Sequence, residues 1–157
     1  MSRRFPRAGQ SLVEFALVAP LLFALMFVLV ELGLIFSIYT GLTNSAREAA
    51  RVGSAYQFSA TNPTSTPSTA TVDGGRAAAM NAAIMATLNP IVDVSAVSQL
   101  SPGYAYEPSV PTNNNYRYGD KLIVTLSYPH NLFFNLLGPQ TITIQASSEM
   151  RLEPGGL

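Results

Sequence analysis

Gly9-Gln10-Ser11-Leu12-Val13-Glu14-Phe15 opens the stretch whose reading decides the fold. Upstream lies a short basic leader, residues 1–9, carrying Arg3, Arg4 and Arg7. Downstream, sixteen residues from Phe15 to Val30 carry no charge, and after Glu31 the apolar pattern resumes to Leu42. Residues 12–39 supply the ~20 apolar positions needed to cross a hydrocarbon core of about 30 Å. Glu14 and Glu31 stand seventeen residues apart, roughly 25 Å along a helix, so each can sit near one face of a bilayer. The leader arginines predict a cytoplasmic N-terminus, with the remainder of the chain on the other side.

Two processing readings follow from this layout. A secretory signal peptide needs a 7–15-residue apolar core closed by a small-x-small site. Here the core is longer, and Glu31-Leu32-Gly33-Leu34-Ile35-Phe36 continues it without such a site. The other reading cuts after Gly9, which removes all three arginines and makes Gln10 the first residue. A new amine would then lie about one helical turn from Glu14, which could neutralise it or the amine of a neighbouring subunit. A carboxylate within a membrane segment is costly enough to suggest a role; the plainer alternative leaves Glu14 solvated among headgroups. For Glu31, a role and simple snorkelling at the far interface weigh equally.

The second layout resembles the class III leader of type IV pilins and pseudopilins. Gly9-Gln10-Ser11-Leu12-Val13-Glu14-Phe15, Pro20-Leu21-Leu22, Glu31-Leu32-Gly33 and Asn44-Ser45-Ala46-Arg47-Glu48-Ala49-Ala50-Arg51 together resemble the TadE-like family of tight-adherence pilus systems. The resemblance covers residues 9–53 and rests on several motifs in order. It implies a pseudopilin-like minor subunit or assembly factor in a bacterial cell membrane. A prepilin peptidase would recognise Gly9, Gln10, Glu14 and Phe15, and the partners would be pilin or pseudopilin subunits and other proteins of the Tad secretion machine. Flp-type pilins usually carry Tyr where Phe15 stands. The competing expectation is an uncleaved single-pass envelope scaffold that presents a small binding domain to secretion-machine partners.

Past the membrane the helix is expected to continue, making residues 10–56 one rod. Pro20 removes the hydrogen bond to the Ala16 carbonyl and should kink or loosen it. Gly33, Ser37, Gly41, Ser45, Ala49 and Gly53 recur every four residues, a spacing of small residues that lets helix backbones approach closely. Residues 57–72, rich in Thr, Ser and Pro, read as a linker. Asp73 is the expected N-cap of a second helix from Gly74 to about Leu88, with Met80, Ile84 and Leu88 as its apolar stripe. Residues 91–100 form a candidate strand, and residues 101–118 a long loop whose tyrosines either make a contact surface or fold back over the sheet. Alternation predicts strands at residues 121–128 and 141–152, separated by a break at Tyr128-Pro129 and an uncharged stretch, residues 131–139. That stretch is a short helix or an apolar loop near the bilayer or a partner. The expected fold class is α+β: a long transmembrane helix extending into a small extracytoplasmic domain, residues 73–157, with one helix and a short antiparallel sheet.

Composition narrows the chemistry. The 157 residues hold nine basic and nine acidic side chains, one histidine and no cysteine. Loss of the leader would leave six basic against nine acidic, which disfavours nucleic acid, a partner that selects concentrated basic surface. Without cysteine there are no disulfides, thiolate metal sites or lipid-anchoring thiol. His130 reads as a surface or structural loop residue, and Gly74-Gly75-Arg76 lacks the rest of a phosphate-binding loop. We therefore expect no enzyme activity, no cofactor and no metal.

Overall fold

The computed structural model describes residues 7–56, 68–88, 101–111, 117–133, 138 and 140–153. The candidate strand at residues 91–100 and most of the linker fall outside them. The first element, α1 (Arg7–Ser54), is a single 48-residue helix that runs on through Pro20. At 1.5 Å per residue it is about 70 Å long. It meets the length and apolarity of a membrane span, and its most apolar part is almost wholly unburied by the rest of the chain. The fold is α+β, with this helix leading into a small antiparallel sheet.

The second helix, α2 (Thr69–Leu88), starts at Thr69 rather than Gly74. Ser68 is its cap: its hydroxyl accepts the Thr71 N–H at 3.2 Å, and its carbonyl accepts the Val72 N–H at 3.1 Å. Serine is among the best residues for that post, because its short side chain reaches an amide the helix leaves unpaired. Asp73 therefore lies inside the helix, and residues 69–72 of the expected linker are helical. The stripe Met80, Ile84 and Leu88 is buried as expected, and extends backward at the same spacing through Arg76 and Val72.

Three strands, β1 (Ser101–Glu107), β2 (Lys121–Asn131) and β3 (Thr141–Arg151), form one antiparallel sheet in the order β1-β2-β3. Two expectations are corrected here. The first seven residues of the expected loop at 101–118 form an edge strand, in which Tyr104 pairs with Val124 and Tyr106 with Leu122. Partners share a face in an antiparallel ladder, so both tyrosines lie on the side of the sheet that bears the core. Pro102 and Gly103 hide this strand from a propensity reading.

The second correction concerns Pro129, which does not end β2. Pairing with β1 stops at Ser127, whereas pairing with β3 continues to Asn131. Pro129 itself pairs with Thr143 of β3, so that ladder carries the strand past the proline.

The core lies where the upper part of α1 crosses the sheet. Leu42, Ala46, Ala49 and Ala50 of α1 meet Leu122, Val124 and Leu126 of β2, Ile144 and Ala146 of β3, and Met80, Ile84 and Leu88 of α2. Gly53 marks a close approach: a Cβ there would lie 2.5 Å from Met80 Sδ and 2.7 Å from Leu122 Cδ2. The Ser54 carbonyl at the end of α1 accepts the Glu153 N–H at 3.1 Å, so the segment after β3 closes the helix. A turn with Arg117 and Gly119 in left-handed backbone (φ 57° and 86°) leads into β2, and the Leu152 N–H bonds the Asp120 carbonyl at 2.9 Å.

Candidate functional site

The residues singled out in the sequence fall at three levels of α1. At the lowest, Gly9, Gln10, Glu14 and Phe15 are all helical and exposed. Gln10 Nε2 donates to Glu14 Oε1 at 3.2 Å, which places residue 10 and the carboxylate on one face, a turn apart. A Cβ at Gly9 would meet nothing within 4 Å, so this segment is open on all sides within the chain. Around it Leu12, Phe15 and Leu17 expose most of their surface.

The small-residue row divides. Gly41, Ser45, Ala49 and Gly53 are buried against the domain, whereas Gly33 and Ser37 are exposed. The upper four thus serve packing within the chain. At Gly53 the close approach of α2 and the sheet requires a small residue, because a Cβ there would run into the Met80 and Leu122 side chains.

Between these levels lies a site that the sequence reading did not assemble. Glu31 is buried, 8% exposed, although it belongs to the apolar stretch of α1. Its carboxylate pairs with His130 Nε2 at 2.8 Å and accepts the Phe133 backbone N–H at 3.0 Å. The two carboxylate oxygens thus have one partner each, the His130 ring and the Phe133 amide, with the direction of the first bond set by the imidazole tautomer. His130 is on β2, not in a loop. Its even-numbered parity with Leu122, Val124 and Leu126 sends it to the helix-facing side of the sheet. That parity was the available signal, and Pro129, read as a break, concealed it.

Two apolar grooves flank the pair. One, of about 200 Å³, is lined by Met26, Phe27, Val30, Leu34 and Phe133 beside Glu31. The other, of about 240 Å³, lies on the opposite side of the carboxylate, against Val28, Leu32, Ile35, Leu132 and Ile142. Phe133 is 85% exposed and Ile142 42%. This is the end of the β2–β3 hairpin, closed by the Leu132 N–H on the Gln140 carbonyl at 3.0 Å.

A second polar cluster lies at the far end of the domain. Asp73 accepts from Arg76 at 3.0 Å and from Arg117 Nε at 2.9 Å, and Arg117 stacks 4.3 Å from the centre of the Tyr106 ring. Arg76 is fully buried near the rings of Tyr56 and Tyr106. A shared carboxylate makes two buried guanidiniums tolerable, and the cluster ties α2 to the turn before β2. Burial pushes the Tyr104 hydroxyl up to about 12, with the neighbouring Tyr106 adding to it; that hydroxyl donates to Asn81 Oδ1 of α2 at 2.6 Å. Outside, Lys121 bridges Glu107 and Glu149, and its hydrogen bond to Glu149 at 2.8 Å raises its ordinary value. Among the described residues no group of three or more His, Asp or Glu is arranged to hold a metal.

Comparison with known proteins locates the family signal in α1. Residues 9–51 match the family model described as TadE-like protein. The match supports TadE-like membership through the same helix that carries the open lower segment and the buried upper row. No curated protein and no solved structure matched the chain.

Proposed function

We propose that this TadE-like chain is a pseudopilin-like minor subunit or assembly factor of a tight-adherence type IV pilus. It is held in the bacterial cell membrane by α1, with its N-terminus cytoplasmic and its sheet domain extracytoplasmic, before incorporation into a fibre. It carries out no catalysis and works through contacts with a prepilin peptidase, pilin or pseudopilin subunits and Tad secretion-machine proteins.

The observation that supports this most is the division of one continuous helix. Its upper part is consumed by the domain core, while residues 9–34 offer exposed apolar surface, broken by Glu14 and the partnered Glu31. A helix bound for a membrane, and then for a bundle of like helices, needs such an uncommitted face. Gln10 and Glu14 face each other a turn apart, so an amine created at Gln10 would fall beside the carboxylate.

The test is the N-terminal sequence and intact mass of the protein from native membranes, together with Glu14→Ala. A chain beginning at Gln10, and loss of assembly in Glu14→Ala with the protein still in the membrane, are the expected results. A chain that keeps Met1, with Glu14→Ala unaffected, would replace this reading with an uncleaved scaffold.

A further inference from the structure

We propose that the β2–β3 hairpin is a second membrane contact. Leu132, Phe133 and Ile142, beside Glu31, enter the leaflet at the far end of the span, and phospholipid acyl chains occupy the two grooves flanking Glu31. The proposal rests on α1 crossing the membrane.

The depth of Glu31 carries the argument. A hydrocarbon core takes ~20 helical residues; counted from Phe15, the first residue after the lower carboxylate, that number reaches position 34. Glu31 then lies within the last turn of the span. A carboxylate at that depth needs partners that do not come from water. Both partners come from the hairpin, His130 by its ring and Phe133 by its backbone N–H. A hairpin that satisfies Glu31 at that level must itself lie at that level.

The tip is built for such a place. Phe133 joins Met26 and Phe27 in lining one groove, so it reaches to the membrane side of the carboxylate. Its 85% exposure would leave a large aromatic surface in water, an arrangement disfavoured by about 25 cal/mol per Å² of apolar area. From Asn131 to Ser148 the sequence has no Asp, Glu, Lys or Arg, so nothing charged is carried in with it.

Backbone groups entering hydrocarbon must be paired. The Leu132 N–H bonds Gln140 and the Phe133 N–H bonds Glu31, while the Asn131 side chain pairs with the Thr141 hydroxyl at 2.7 Å. The exposed apolar surface of the tip is continuous with that of α1 at Val28, Leu32 and Leu34. The occupant that covers one therefore covers the other.

The chain has no tryptophan, so single tryptophans report depth directly. Phe133→Trp and, separately, Phe23→Trp in the middle of the span would be placed in phosphatidylcholine vesicles as full-length protein. Lipids brominated near the headgroup end or near the tail end of the acyl chain serve as quenchers. The expected result is blue-shifted emission from Phe133→Trp, quenched mostly by the shallow bromines, with Phe23→Trp quenched mostly by the deep ones. Adding Glu31→Ala should release the tip, lowering lipid quenching at position 133 while leaving position 23 unchanged.

Emission from Phe133→Trp that bromolipids leave intact and aqueous acrylamide quenches would overturn the proposal alone, provided Phe23→Trp is still quenched. Protection from both quenchers would also overturn it, and would assign the tip to a contact between copies of this chain. Failure of bromolipids to quench Phe23→Trp would remove the membrane reading of α1 and the proposal with it.

Discussion

Below Glu31, α1 leaves Leu12, Phe15, Leu17 and Leu21 between 69% and 75% exposed; above it, Leu42, Ala46, Ala49 and Ala50 are at 0%. The backbone is the same, and the row of small residues begins just above Glu31, at Gly33, and runs on into the packed part. What differs is the surface each part was composed to meet. Large flexible side chains suit lipid, which has no fixed shape and gives helices no hydrophobic reason to associate. Small ones suit a sheet and a second helix that must come close. A four-residue spacing of Gly, Ser and Ala is therefore not one feature along this helix. Above position 40 it is a packing surface within the chain, and below it Gly33 and Ser37 are unused by the chain itself.

The largest effect that would test this division comes from Leu42, which is fully buried. Leu42→Ala should cost about 2–5 kcal/mol of domain stability through lost burial and the cavity left behind. Leu22→Ala, at a site 60% exposed, should leave that stability unchanged. Denaturant unfolding of the detergent-solubilised chain, followed through the sheet signal, measures both. Equal losses at the two sites would show that the halves are not energetically distinct.

A smaller effect is expected at the close approach. Gly53→Val puts a branched side chain where Met80 and Leu122 already stand, an overpacking worth about 1–3 kcal/mol. Gly33→Val meets nothing within 4 Å inside the chain and should not move the same unfolding curve. If Gly33→Val nonetheless abolishes crosslinking between subunits in the membrane, the lower part of the row is an intermolecular face, and the comparison gains a second surface.

The smallest effect tests the edge of the packed half. Burial raises the Tyr104 hydroxyl to about 12, against an ordinary tyrosine near ~10. With the folded value above the unfolded one, stability is intact below about 10 and declines as pH rises through about 12. An ultraviolet titration should show one tyrosine ionising last, and Tyr104→Phe should lose less stability across that window. A Tyr104 that titrates with the exposed tyrosines would mean that β1 does not hold its ring against the core.

Much of this was legible in the residues. Uncharged length and the positions of Glu14 and Glu31 are local facts, and they gave the helix, its apolar reach and the family resemblance. Alternation gave β2 as far as Tyr128 and the whole of β3 with one residue to spare, because one face of each strand is buried and period two survives wherever that holds. The misreadings came from residues whose ordinary meaning was overruled by neighbours. Asp73 looks like a cap because aspartate favours that post, but Ser68 takes it, leaving Asp73 to two arginines. Pro129 looks like a stop, but pairing with Thr143 of β3 carries the strand past it. Pro102 and Gly103 look like loop, but pairing with Leu126 and Thr125 makes them strand.

Sequence alone determined which part of this chain is too apolar for water, where its charges interrupt that part, and which faces of the later strands must be hidden. Those properties depend on residues a few positions apart, within reach of one helical turn or one pleat. Tertiary structure alone decided the partner of Glu31, a histidine 99 residues away, and the conversion of the upper four residues of a small-residue row into a core. Neither can be read locally, because a buried carboxylate takes its donors from whatever the fold brings beside it. Here the fold brings the turn end of a hairpin.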